Sequence, residues 1–192
     1  MSMMCKSKVF PFGSGALLGV DYCKLLIPEF ERLKRVSDGR ASSVCQEEAR
    51  AIAECVFALS VDQERSFSWD SSMSNFDESI AKIRHARAAG YKMTLVAVLT
   101  DPQVAIRRAM NRALETRRFA HPDHLVPSAE KFYAHFPSYC DEFEDVYVFS
   151  NNDEASDGSL AQPMLIARKS IGSDLLKVFD PQTFNRFITP SA

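Results

Sequence analysis

Residues 92–99, KMTLVAVL, constrain the fold more than any other stretch of this chain. After its start the run is almost wholly apolar, which predicts a strand buried on both faces, the habit of parallel sheets. Asp101-Pro102 follows at once, and Pro102 suits the first turn of a helix. The same alternation recurs along the chain. Residues 16–20 form a short apolar run ending at Asp21, residues 66–69 a short strand ending at Asp70, and residues 145–150 (DVYVFS) another strand. Between them, Ser42 or Ser43 can cap a helix to about Leu59 with a stripe of Val44, Ala49, Ile52, Val56 and Leu59. Asn75 opens a further helix with Glu78 in a capping-box position; Phe76, Ile80 and Ile83 give its buried face, and Gly90 stops it. Strands alternating with helices predict an α/β fold with a mostly parallel sheet flanked by helices.

The remaining segments are patterned less strongly. Residues 1–15 form a poorly patterned leader. Residues 23–36 predict short helical pieces split by Pro28, and 37–40 and 71–74 predict turns. A loop through Pro122 and Pro127 leads to a helix near 128–136. Residues 164–167 suit an edge strand, and two short helices near 171–179 and 181–187 close the chain. The length of 192 residues suits one domain, and 46% apolar with 25% charged residues provides for a packed core. A net charge of −2 argues against broad nucleic-acid binding. No apolar run approaches a membrane span, and MSMMCKSKVF lacks the core of a secretory signal. Cys5, Cys23, Cys45, Cys55 and Cys140 form no CxxC pair and read as reduced thiols of a cytoplasmic protein.

Chemistry concentrates at two kinds of position. Arg107, Arg108, Arg112, Arg117 and Arg118 fall within twelve residues directly after the 92–99 strand. Guanidinium groups fork onto phosphate oxygens and stay charged at any working pH; the alternative is a solvated helix face. Ligands of parallel sheets sit beyond the carboxyl ends of the strands, which draws Asp21, Asp70 and the residues after Leu99 to one side. Asp21 is the candidate base for a substrate hydroxyl, and Asp70, Ser71 and Ser72 are candidate contacts to substrate or metal. The competing readings are a helix N-cap for Asp21 and a hydrogen-bonded turn for residues 70–74. The pair His121 and His124 lacks a third ligand nearby in sequence, so no metal site is assigned. Cys45 and Cys140 lack a histidine partner in sequence. Trp69 reads as core, and Phe132, Tyr133 and Phe136 as the apolar face of a helix.

The segments VDYCKLLIPEF, ASSVCQEEARAIA, FSWDSSMSNF, RAAGYKMTLVAVLTDPQVAIRRAMNRALETRRF and VYVFSNND are ordered as in zeta-toxin-type P-loop kinases, which this chain resembles over about residues 20–152. The resemblance implies a single kinase domain over 1–192, with a family-like core at 16–152 and an extension at 153–192. It implies ATP and magnesium as cofactors and a nucleotide sugar such as a UDP-linked amino sugar as substrate, with neither membrane nor nucleic acid as partner. Catalysis then falls on Asp21, substrate binding on Glu48, Asp70, Ser71 and Ser72, and phosphate binding on Arg112 and Arg118, with Arg108 able to replace Arg112. Glu48 also reads as a solvated helix residue. One departure matters: no G-x-x-x-x-G-K-[ST] loop occurs, and the only glycine-rich candidate, residues 13–19, has the wrong spacing. The expectation is therefore an N-terminally truncated kinase fold with impaired turnover, whose open sheet invites a protein partner or a second copy. The alternative is a non-catalytic binding or interaction module derived from that fold.

Overall fold

The computed structural model describes residues 15–36, 40–116, 122–153 and 162–188. The chain divides into two compact units, Met1–Ser71 and Ser72–Ala192.

In the first unit, β1 (Ala16–Leu18) and β2 (Phe67–Trp69) run parallel, with Ala16 opposite Phe67 and Leu18 opposite Trp69. Two glycines set their spacing. A Cβ at Gly15 would lie 2.8 Å from the Ser66 carbonyl oxygen, and one at Gly19 would lie 2.7 Å from that of Asp70. Both distances are below van der Waals contact, so β1 is flanked by residues without side chains. The pairing runs past the strands: the Ala16 N–H donates to Ser66 O at 3.2 Å and the Asp70 N–H to Leu18 O at 2.7 Å. Helices α1 (Val20–Lys24), α2 (Pro28–Val36), α3 (Ala41–Val44) and α4 (Gln46–Asp62) complete the unit. Pro28 begins α2, so the proline divides two helical pieces as expected. Helix α1 packs on α4, where Ala49 and Ala53 are fully buried and leave room for Cys23, Ile27 and Phe30.

Three expectations are corrected here. The first strand ends at Leu18 rather than Val20. The Gly19 carbonyl accepts the N–H groups of Tyr22 and Cys23, both at 3.1 Å, so Asp21 lies in the first turn of a helix. Neither Ser42 nor Ser43 caps a long helix; Ser43 Oγ donates back to the Arg40 carbonyl at 2.8 Å, and the helix breaks at Cys45. The buried stripe of α4 is Ala49, Ala53, Phe57 and Val61, while Leu59 is exposed. Phe57 lies edge-on to Phe67 and Trp69, which draws the stripe one position away from Val56. The turn predicted at 37–40 falls mainly on 37–39, outside the described residues.

The second unit holds α5 (Phe76–Ala88), β3 (Thr94–Leu99), α6 (Pro102–Thr116), α7 (Pro122–Glu142), β4 (Asp145–Ser150), β5 (Met164–Lys169), β6 (Lys177–Val178) and α8 (Pro181–Ile188). Asn75 caps α5, accepting from the Glu78 N–H at 3.3 Å, and its own amide donates to Glu78 Oε2 at 3.2 Å. Gly90, at φ 85°, ends the helix, and the Tyr91 N–H returns to Ala86 O at 3.1 Å. The sheet order is β3-β4-β5-β6, parallel for β3–β4 and antiparallel for the last two pairs. Among the described residues β1 has β2 as its single strand neighbour, and β3 has β4. Leu95, Ala97 and Leu99 pack with Val146, Val148 and Ile166 beneath Ile80 and Ile83 of α5 and Phe136 and Tyr139 of α7. The Tyr139 hydroxyl donates to Met73 O at 2.7 Å, holding a methionine with left-handed backbone at φ 50°.

Four further expectations change. Val96 and Val98 are only half-buried, so the apolar run of β3 is fully covered on one face. Helix α7 runs through Pro127 and Pro137 instead of beginning after a loop. An interior proline costs a helix about 3 kcal/mol; burial of Phe136, Tyr139 and Phe143, each contributing about 1.5–3 kcal/mol, offsets it. Strand β5 is not an edge, because β6 pairs with it. No helix forms at 171–179: Gly172, at φ 81°, reverses the chain, and the Phe179 N–H donates to Ile166 O at 2.8 Å.

Two predictions follow from these contacts. Gly19→Ala forces β1 and β2 apart and should lower stability by about 1–3 kcal/mol; an unchanged urea midpoint would show that the close approach is dispensable. Arg87 and then Arg84 hold the Glu142 carboxyl below its ordinary range. That stabilisation is present above the unfolded-state pKa and is lost as pH falls through the folded one. Glu142→Gln should therefore flatten the acid side of a stability–pH curve, and an identical acid limb in the variant would contradict the assignment.

Candidate functional site

The parallel β1–β2 pair brings two of the expected carboxylates together. Asp70 is the first residue beyond β2, and Asp21 lies in the first turn after β1. The Asp70 carboxyl is raised above its ordinary range, first by loss of solvation and further by the charge of Asp21, while a hydrogen bond from Tyr22 opposes the shift. Asp21 is exposed and is held by Lys24, whose Nζ lies 3.1 Å from Asp21 Oδ1. The Lys24 side chain itself is buried. Glu48 stands exposed in the first turn of α4. Burial raises the Cys45 thiol, the charges of Glu48 and Glu29 raise it further, and Lys24 acts in the opposite direction. Lys24 thus pairs with Asp21, and its charge also acts on Cys45. Ser71 is exposed directly after Asp70. Tyr22 and Lys24 enter the sequence patterns only as members of the segment VDYCKLLIPEF; a hydroxyl and an amine beside a carboxylate are the available signals.

The second unit holds the other expected residues. Ser72 Oγ and Ser74 Oγ share a hydrogen bond of 3.0 Å. On α6, Arg108 and Arg112 are one turn apart but differ in employment. Arg108 is half-buried and donates to two backbone carbonyls of the loop after β4, Asn151 O at 2.5 Å and Asp153 O at 2.9 Å. Its Nε is buried without a hydrogen-bond partner. Arg112 is exposed, and among the described residues its side chain makes no hydrogen bond or ion pair. Of the two, Arg112 therefore has the open guanidinium group. Arg118 lies outside the described residues, as does His121. Asp101 caps α6, accepting from the Gln103 N–H at 3.0 Å.

A triphosphate with magnesium needs successive backbone N–H groups, a lysine and a hydroxyl around a glycine-rich turn. The described glycines of the candidate segment do not offer this. Gly15 and Gly19 are used for close backbone approach, and Val20 and Asp21 follow Gly19 where a lysine and a hydroxyl are needed. The described residues therefore do not fit that group. Among them, no set of three His, Cys, Asp or Glu side chains could hold a metal ion. No helix among them is long and apolar enough to cross a membrane. Cys23 and Cys45 are buried and their thiols raised by that burial; Cys140 is pushed up to about 12.

Comparison with known proteins bears on this arrangement. A family model described as Zeta toxin matches residues 2–157. No curated protein sequence matches the chain. Among solved structures, a chain from the PezAT chromosomal toxin–antitoxin system of Streptococcus pneumoniae superposes with a TM-score of 0.50 at 15% identity. The match covers 77% of this chain and 59% of that one, so the present chain spans less than two thirds of the relative's length. At that identity the likeness establishes the fold: α/β, with parallel strand pairs flanked by helices.

Burial predicts the order of thiol reactivity. At about pH 8, where an ordinary thiol is partly ionised, an alkylating agent should modify the exposed Cys55 and spare Cys23, Cys45 and Cys140. Rapid labelling of Cys140 in the native protein would contradict its burial. Asp70 has a different signature. Its folded-state pKa is raised, so folding binds protons and stability falls as pH rises through that value. The residue keeps solvent contact, which makes the effect modest. Asp70→Asn should remove this slope, and a variant curve parallel to that of the wild type would refute it.

Proposed function

Since this chain belongs to the zeta toxin family, we propose that it carries the acceptor side of an ATP-dependent kinase for a small hydroxylated substrate such as a UDP-linked amino sugar. The observation that carries the reading is the Asp21–Asp70 carboxylate pair at the end of the β1–β2 strands, with one member held by Lys24 and the other by Tyr22. A carboxylate so placed accepts a hydrogen bond from a substrate hydroxyl and is positioned to take its proton. In this reading Asp21 is that group, and Glu48, Asp70 and Ser71 of the same unit fix the sugar. Separately, on the second unit, Arg112 and Arg118 offer guanidinium groups to phosphate oxygens, while Arg108 holds the loop after β4 through the carbonyls of Asn151 and Asp153. The family uses ATP with magnesium, but the described residues of this chain do not fit that donor, and no step through it is derived. The family's place in toxin–antitoxin systems further suggests a protein antitoxin as partner.

A second reading, substrate binding without transfer, is favoured by the way Gly15 and Gly19 are consumed in packing. One experiment separates the two. Titration calorimetry of the full chain with UDP-N-acetylglucosamine should show binding that weakens about 10- to 100-fold in Asp21→Asn and in Asp70→Asn, the loss of one hydrogen bond to a charged group. Wild-type chain that fails to bind, or variants that bind equally well, would overturn the assignment. Phosphoryl transfer from ATP and magnesium to the bound sugar selects the kinase reading, and binding without transfer selects the module.

A further inference from the structure

We propose that Arg186, on a helix beyond the residues matched by the family model, is a positioning residue of the rim at the ends of β3 and β4. Acting through Asp101, it fixes the first turn of α6 and so the arginines that this helix carries.

Helix α8 commits its apolar side to the core. Phe184 and Phe187 are buried, Phe184 lies edge-on to Phe136, and Phe187 meets Tyr133. The same helix sends the Arg186 guanidinium to Asp101 Oδ2. Asp101 is the first residue of the rim with work on both sides. Its Oδ1 accepts from the Gln103 N–H at 3.0 Å, and its carbonyl accepts from the Ala105 N–H at 2.8 Å, so it closes the N-terminus of α6. Its own N–H donates to Asn152 Oδ1 at 2.7 Å, which ties this turn to the loop after β4.

That loop is fastened from two more directions. The Asn151 N–H donates to Leu99 O at 2.9 Å, and Arg108 reaches back from α6 to the carbonyls of Asn151 and Asp153. The Tyr133 hydroxyl donates to Thr100 O at 3.1 Å and secures the residue before Asp101. The two loops are thus cross-linked, and Asp101 is shared by both. Asp101 Oδ1 is the capping oxygen, and Arg186 occupies the other oxygen with a charge-assisted hydrogen bond that restrains rotation of the carboxylate. The side chain of Asp101 is 19% exposed, so the pair is better shielded from solvent at the carboxylate than at the 60% exposed arginine.

The bearing of this clamp on phosphate contacts rests on the proposed function, but the clamp itself needs no ligand. Amide hydrogen exchange on the full chain therefore tests it directly. Arg186→Ala should speed exchange of the Asp101, Gln103, Ala105 and Asn151 amides by at least about tenfold, with β3 and β4 interior amides unchanged. Arg186→Lys should recover most of the protection. Asp101→Asn, which keeps a capping oxygen but loses the charge, should resemble Arg186→Ala, and combining the two should add little. Wild-type exchange rates at those four amides in Arg186→Ala would overturn the proposal. So would equal acceleration throughout α8 and β5, which would mean that Arg186 merely fastens its own helix. A failure of sugar binding by the wild-type chain leaves these rates untouched and counts against the carboxylate site alone.

Discussion

The close backbone approach of β1 to β2 is the constraint on which the candidate site depends. Parallel pairing points the carboxyl ends of both strands the same way, and the missing side chains of Gly15 and Gly19 let the two backbones meet. The chain after β1 turns at once into α1 because the Gly19 carbonyl is free to accept two N–H groups. Asp21 and Asp70 then stand beside one another with no intervening element. Loss of solvation raises the Asp70 carboxyl first, and the charge of Asp21 adds to it. Lys24 and Tyr22 answer this with a cation for one carboxylate and a hydroxyl donor for the other.

The second unit solves a related problem by cross-linking. Its parallel pair β3–β4 presents two loops at the carboxyl ends of the strands. Backbone carbonyls, Asn152, Asp101 and two arginines join them into one network. This network explains why neighbouring arginines on α6 differ in what they can do. Arg108 has its Nη donors on backbone carbonyls and serves the shape of the rim, whereas Arg112 keeps its guanidinium open to solvent.

Local signals were readable wherever a single residue type enforces a backbone state. Asn75 with Glu78, Gly90 and Pro102 delivered helix boundaries from sequence because each acts on its nearest neighbours. The strand-end acids were found for a similar reason, although Asp21 proved to be one turn into a helix. Reading failed where distant packing overrides local preference. Pro127 would end a helix in isolation, yet the aromatic face of α7 carries the helix through it. Residues 177–178 carry no strong strand signal, yet they form a two-residue strand by pairing with β5. The employment of Arg108 and the reach of Arg186 to Asp101 depend on partners 43 and 85 positions away, respectively, and no spacing rule reports them.

Chemical-shift mapping of the isotope-labelled chain with a UDP-linked amino sugar examines the central claim most directly. The account predicts that the largest ligand-induced shifts fall on the amides of Gly19, Asp21, Tyr22, Asp70 and Ser71, with Glu48 following. Shifts confined to other surfaces, or a spectrum that ligand leaves unchanged, would contradict the carboxylate pair as the place where substrate is held.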